Sequence, residues 1–229
     1  MAVRSIPGNR RSLTGLISSG ETEDSIPFES SLERDFVILT KADLRVKSVD
    51  SQPVRVHYDD PRGVAHIYTP DYLVTYHPPE IVGQVLRPLL VEVKYLEDIR
   101  TKWPEYRQKW RAAIRYAKKH DWGFIVRTER RIRTPRLKNV TFLRGFKSTG
   151  VSLEDQRVVL DALYEKKAST PQELIESITP DRWRQAYHLH VVWNVIANSL
   201  AGVDLDKPLT QHSKIWNIEP AWELMGDEP

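Results

Sequence analysis

The feature that most limits the fold is a strand, helix, strand pattern in the middle of the chain. Leu89 to Leu96 reads as an interior strand, because Leu89, Leu90, Val91 and Val93 are all apolar. A long amphipathic helix follows from about Trp103 to Lys119, with Tyr106, Trp110, Ala113 and Ala117 along one face. Trp122-Gly123-Phe124-Ile125-Val126 then reads as a buried strand. Two strands joined through a helix run parallel, since a hairpin turn connects only antiparallel neighbours. The expected class is therefore α/β.

The flanking sequence adds elements to this unit. Val54, Val56 and Tyr58 alternate with Arg55 and His57, as on a half-buried strand. Asp59-Asp60-Pro61-Arg62-Gly63 is a turn. His66 to Tyr76 is expected as the next strand, interrupted by Pro70, and Asn139 to Leu143 as one more. Before them, Ser30 suits a helix N-cap, with Glu33 three residues on in a capping-box pattern. Leu32, Phe36 and Leu39 form that helix's apolar stripe. Residues 1–26 are polar, carry Gly, Pro and Ser, and read as a flexible arm.

Composition changes near Ser148-Thr149-Gly150, which places a boundary there. The expected organisation is an arm over 1–26, an α/β domain over 27–147 and a smaller domain over 151–229. Ser152 caps a first helix to about Tyr164, and Thr170-Pro171-Gln172-Glu173 is a capping box. Asp181 to Leu200 forms a longer helix with Gly202 as its C′ glycine. Val203 to Leu205 and Lys214 to Trp216 then pair around Pro208. Helices followed by a hairpin give a winged-helix-like α domain.

Three places carry ionisable residues that a plain core would not need. Pro70-Asp71 opens a strand, Glu92-Val93-Lys94 lies on a later one, and Glu33 lies on an earlier helix. Residues two apart on a strand share a face, so Glu92 and Lys94 point the same way. On an interior strand such charges are costly unless paired or bound to metal. Carboxylates bind Mg²⁺ or Mn²⁺ through oxygen and leave waters on the ion. Such an ion lowers the pKa of bound water and polarises a phosphate, while a nearby lysine offsets developing charge. Asp71 and Glu92 are the natural metal ligands, Glu33 could complete the sphere, and Lys94 is the catalytic cation. An ion pair between Glu92 and Lys94, and a cap at Glu33, explain the same residues without catalysis.

Net charge is only +3, but its distribution is uneven. Arg127, Arg130, Arg131, Arg133, Arg136, Lys138, Arg144 and Lys147 crowd one stretch against a single acid, Glu129. Arg111, Arg115, Lys118 and Lys119 share a helix face. Beside a carboxylate site, these clusters point to phosphate contact. No glycine-rich phosphate loop is present, so ATP is not expected as a ligand of this chain. With no cysteine, disulfides, thiolate zinc sites and thiol catalysis are excluded. No apolar run suits a membrane span or a signal peptide, so a cytoplasmic location is expected. His57 and His66 read as structural histidines. His188 and His190, two apart on a helix, do not share a face. Trp103, Trp110 and Trp122 read as core.

Four stretches, Ser31-Leu32-Glu33-Arg34-Asp35-Phe36, Ser51-Gln52-Pro53-Val54-Arg55-Val56, Tyr68-Thr69-Pro70-Asp71-Tyr72-Leu73-Val74 and Val91-Glu92-Val93-Lys94, resemble the TnsA endonuclease subunit of heteromeric transposases. They fall in order over roughly residues 28–147. The resemblance implies a restriction-endonuclease-like PD-(D/E)xK core and Mg²⁺- or Mn²⁺-dependent cleavage of DNA at transposon ends. It implies two partners, a DDE transposase, TnsB, and an ATPase regulator, TnsC. The family's catalytic positions fall on Glu33, Asp71, Glu92 and Lys94. Some members carry Gln at the position of Glu92. Two other readings remain open: a stand-alone nuclease of the same fold in defence or repair, and a catalytically inert DNA-binding assembly module.

Overall fold

The expected parallel crossover is present. The computed structural model describes residues 15–18 and 25–218, and the chain divides into two compact units between Arg133 and Thr134. The first unit opens with a hairpin, β1 (Gly15–Ser18) antiparallel to β2 (Ser25–Phe28). Ile17, Ile26 and Phe28 are buried, so apolar packing holds this part of the expected arm. The rest of that arm, 1–14 and 19–24, lies outside the described residues. Helix α1 (Ser31–Lys41) buries Leu32, Phe36 and Val37. The Ser30 hydroxyl accepts the Glu33 N–H at 3.2 Å. The Glu33 carboxylate, however, accepts from the Glu29 N–H at 2.9 Å, so the return half of the capping box goes one residue earlier.

Strands β3 (Val46–Ser51), β4 (Val56–Asp59), β5 (Ala65–Tyr68) and β6 (Tyr72–Tyr76) follow. After a short helix α2 (Pro79–Val82) come β7 (Leu89–Val93), α3 (Leu96–Thr101), α4 (Trp103–Lys119), β8 (Gly123–Arg127) and α5 (Glu129–Ile132). The main sheet has the order β3-β6-β7-β8. Its first two pairings are antiparallel, and β7 runs parallel to β8 with Leu90 opposite Phe124. The result is a mixed α/β unit. The single strand expected over His66 to Tyr76 is two strands in two sheets, since among the described residues β5 pairs only with β4. Pro70 lacks an N–H for the ladder and ends the first piece. That break puts Asp71 at the entrance to β6.

Helix α4 covers the sheet. Tyr106, Trp110, Ala112, Ala113 and Ala117 pack with Val56, Tyr68 and Leu90 in one cluster. Burying an aromatic as large as Trp110 stabilises by roughly 2–3 kcal/mol. Trp103 is 48% exposed and only meets the edge of Trp110 at 6.0 Å, so it is not core. Strand β7 ends before the expected Leu96, whose N–H is taken by the Glu129 carboxylate at 2.9 Å.

The second unit contains α6 (Pro135–Lys147), α7 (Leu153–Lys166), β9 (Ala168–Ser169), α8 (Pro171–Ile178), α9 (Arg182–Ala197), β10 (Ala201–Val203) and β11 (Ile215–Asn217). The strand expected over Asn139 to Leu143 is helix. Pro135 sits in its first turn, and Leu137, Val140 and Leu143, three apart, are buried on one side. Helix α6 packs against α9, where the Asn194 amide donates to the Phe146 carbonyl at 2.7 Å. The change of composition at 148–150 is therefore a loop inside this unit. Val159, Leu163, Leu174, Val191, Val192, Val195 and Ile215 form its core. The capping box at Thr170 and Glu173 is complete. Strands β10 and β11 pair, β10 lying two residues before the expected Val203 to Leu205, and β9 adds a third strand on β11. Gly202 is not the C′ residue of α9. Ser199, with φ 59°, takes the left-handed turn, while Gly202 faces the Trp216 ring, where a Cβ would collide with the indole nitrogen.

Candidate active site

Asp71, Glu92 and Lys94 meet where β6 begins and β7 ends. The Asp71 Oδ2 accepts the Val93 N–H at 2.7 Å and the Lys94 ammonium at 3.2 Å. Lys94 Nζ also lies 3.4 Å from Glu92 Oε1 and donates to the Val93 carbonyl at 3.1 Å. Antiparallel pairing of Tyr72 with Val91 brings the two strand ends together. Burial works against the Lys94 charge, but Asp71 and then Glu92 outweigh it and hold its pKa above the ordinary value.

Glu92 is 1% exposed. Burial first, then the charge of Asp71, pushes its carboxyl up to about 7, although Lys94, Tyr68 and Lys109 pull the other way. The Tyr68 hydroxyl donates to Glu92 Oε2 at 2.5 Å. Burial and the Glu92 charge raise the pKa of that phenol, so it stays protonated and remains a donor. On the other side, Lys109 Nζ is 3.7 Å from Glu92 Oε1. Burial holds the Lys109 pKa below its usual value despite Glu92.

Glu33 joins through α1. Burial and then the Asp71 charge raise its carboxyl, against the Glu29 N–H, Ser30 and Lys94. The Tyr72 hydroxyl lies 3.5 Å from Glu33 Oε2 while donating to the Pro27 carbonyl at 3.1 Å. Behind Asp71, Gln52 has a left-handed φ of 46° and donates its N–H to the Asp71 carbonyl at 2.8 Å. A non-glycine residue held there carries strain on the order of 1–3 kcal/mol, which is common beside functional residues.

Among the described residues, no three His, Asp or Glu side chains are already gathered closely enough to enclose a metal ion. The residues nonetheless fit one. Asp71 disfavours ionisation of both Glu92 and Glu33, and crowded carboxylates of this kind are relieved by a cation. Mg²⁺ is commonly held by only one or two carboxylates, keeping its waters for the rest of its sphere. Asp71 and Glu92 are the pair that could hold it.

The basic residues separate. Arg111 and Arg115 are exposed on α4, and Arg130 and Arg131 on α5, with Arg127 half-buried on β8. Arg133 is exposed but donates to Asp35 at 2.9 Å and to Ser31 at 3.0 Å. Arg136, Lys138, Arg144 and Lys147 belong to α6 in the second unit, and Arg136 lies 3.3 Å from Asp206. His57 and His66 sit on the separate β4–β5 hairpin, and His66 is 3.4 Å from Asp60.

Tyr68, Lys109 and Gln52 take part in the site without having stood out in the sequence. For Lys109 a signal existed: it lies three residues after Tyr106, on the apolar face of α4, where a lysine needs a partner.

No curated protein matches the chain. Residues 43–129 match the profile of a protein family described as TnsA-like endonuclease N terminal. The stretch runs from just before β3 into α5 and takes in Asp71, Glu92, Lys94, Tyr68 and Lys109. Over residues 43–129, therefore, this chain is similar to the TnsA-like endonuclease N-terminal domain.

Proposed function

We propose that this chain is a metal-dependent DNA endonuclease subunit of a heteromeric transposase, cutting near transposon 5′ ends during cut-and-paste transposition. Its partners on this reading are DNA, a DDE transposase, TnsB, and an ATPase regulator, TnsC. One observation carries the chemistry: Asp71, Glu92 and Lys94 converge between two strand ends, with Glu92 buried and Asp71 and Lys94 half-buried. Pro70-Asp71 at the start of β6, beside Glu92-Val93-Lys94 at the end of β7, supports a PD-(D/E)xK core. The order α7, β9, α8, α9, β10, β11 supports a winged-helix reading of the second unit.

On this reading Asp71 and Glu92 hold Mg²⁺ or Mn²⁺, with Glu33 as a third oxygen donor. The ion, when bound, polarises the phosphodiester and lowers the pKa of the attacking water. Lys94 keeps its ammonium at this point and offsets the charge that grows on the phosphate oxygens. The Val93 N–H orients Asp71 through Oδ2. Exposed Arg111, Arg115, Arg130 and Arg131 supply backbone phosphate contacts.

The test is end-labelled transposon DNA incubated with this chain, TnsB and TnsC. Cutting at the 5′ ends is expected with Mg²⁺ or Mn²⁺ and is lost in EDTA. Ca²⁺ should bind and support little cutting, because its coordination is larger and looser. Full activity in EDTA excludes the metal mechanism.

A further inference from the structure

Glu92 is gripped by residues outside the proposed ligand set. Its Oε2 accepts from the Tyr68 hydroxyl at 2.5 Å. Its Oε1 faces Lys94 at 3.4 Å and Lys109 at 3.7 Å. The terminal torsion of a glutamate is broad and roughly two-fold, so an unheld carboxylate turns with little cost. A donor fixed on one oxygen removes that freedom. Tyr68 is well placed to be such a donor, being 6% exposed beside a Glu92 that is 1% exposed. Its backbone is pinned opposite Val56 in the β4–β5 hairpin. Its ring packs in the α4 cluster, with the Lys109 ammonium 5.0 Å from its centre and 4.5 Å from that of Tyr106.

A buried phenol needs some acceptor, and a carbonyl would satisfy it. Here the acceptor is instead the least exposed carboxylate of the site. We propose that Tyr68 is a positioning residue acting through Glu92: it occupies Oε2, so that Oε1 is the oxygen presented beside Lys94 and Asp71 to a divalent cation. Lys109 lies against the Tyr68 ring and keeps it seated. This inference rests on the metal-dependent reading above.

The experiment is Mn²⁺ titration calorimetry on the full chain without DNA. Wild type, Tyr68→Phe, Glu92→Gln and the double variant are compared, with melting of each in EDTA. Tyr68→Phe keeps the ring in its apolar seat and removes only the hydroxyl. It should weaken Mn²⁺ binding by about 10- to 100-fold, the usual effect of removing a partner of a metal ligand. In the Glu92→Gln background it should cause no further loss, because its route is gone. In coupled cleavage it should raise the Mg²⁺ concentration for half-maximal rate and leave the KM for DNA unchanged. An unchanged Mn²⁺ constant, with or without a lower melting temperature, overturns the proposal. So does an equal loss in the Glu92→Gln background. A wild type that binds Mn²⁺ no better than Glu92→Gln sinks the metal reading itself, a result distinct from these two.

Discussion

At the scale of single residues the site is a problem of charge, and its variants should show this. Asp71→Ala, Glu92→Gln and Lys94→Ala should each reduce end cleavage by roughly 100-fold or more and still melt cooperatively. Nicking assays paired with thermal melting check this, and near wild-type cutting by any of the three removes that residue from the chemistry. Glu33→Gln separates two roles. Its amide oxygen still accepts the Glu29 N–H, so a cap-only role leaves both melting and cutting unchanged, whereas loss of a charged oxygen donor spares the melt and lowers cutting. The Glu92 carboxyl also predicts a pH dependence in the chelated protein. Its pKa is about 7 when folded, above the 4.5 of an ordinary glutamate. The folded state therefore binds the proton more tightly, so stability is full below pH 4.5 and falls as pH rises through 7. Glu33, raised in the same direction, adds to the fall. The raised Lys94 pKa acts only far above this window. Melting of wild type in EDTA across that same window should decline more than that of Glu92→Gln, and equal slopes contradict the assignment. Glu92 and Lys94 were legible because two charges interrupt an apolar strand. Tyr68 and Gln52 were not, because their meaning lies in the partners Glu92 and Asp71, which only the folded chain supplies.

At the scale of elements, local pattern gave the α4 crossover and the N-caps of α7 and α8, since periodicity and capping are short-range. It failed where the partner decides. Leu143 fits a strand as well as a helix until the core built by α9 is there to receive it. The basic run failed similarly as a single unit: Arg130 and Arg131 are exposed on α5, while Arg133 is bound to Asp35 and Ser31. The run should therefore divide by phenotype. Replacing Arg130 and Arg131 by Ala should flatten the salt dependence of DNA binding by roughly one unit of slope for each phosphate no longer neutralised, with the melting temperature unchanged. Arg133→Ala should instead lower the melting temperature, because Asp35, one of the few buried charged residues described, is left without that guanidinium. Filter binding across a salt series, beside calorimetry, reads both. A fall in slope from Arg133→Ala alone would reverse the division.

At the scale of the whole molecule, the division between Arg133 and Thr134 decides how the chain can be cut for experiment. Every residue of the proposed catalytic set, and the whole family match, falls before that point. A fragment ending at 150 would carry α6 without the core of the second unit that receives Leu143, and would expose that side chain. A fragment of 1–133 avoids this. The second unit offers little sign of base reading on α9 after the cap, since Val191, Val192, Trp193, Val195 and Ile196 are buried in its own core. That apolar stretch is thus internal and not open to a partner. What α9 leaves in solvent lies at its start, with Trp183 88% exposed and Tyr187 exposed one turn on. Such aromatics, next to Arg182 and Arg184, suit an interface anchor. On the transposase reading, then, site choice comes from TnsB, and the second unit couples this chain to its partners. The prediction is that 1–133 folds, retains Mn²⁺ binding dependent on Glu92, and fails in coupled end cleavage with TnsB and TnsC. The full chain alone should show no site-specific cutting of end-labelled transposon DNA. Site-specific cutting by the chain alone, or full coupled activity from 1–133, would place selection or coupling inside the nuclease unit and end this division of labour.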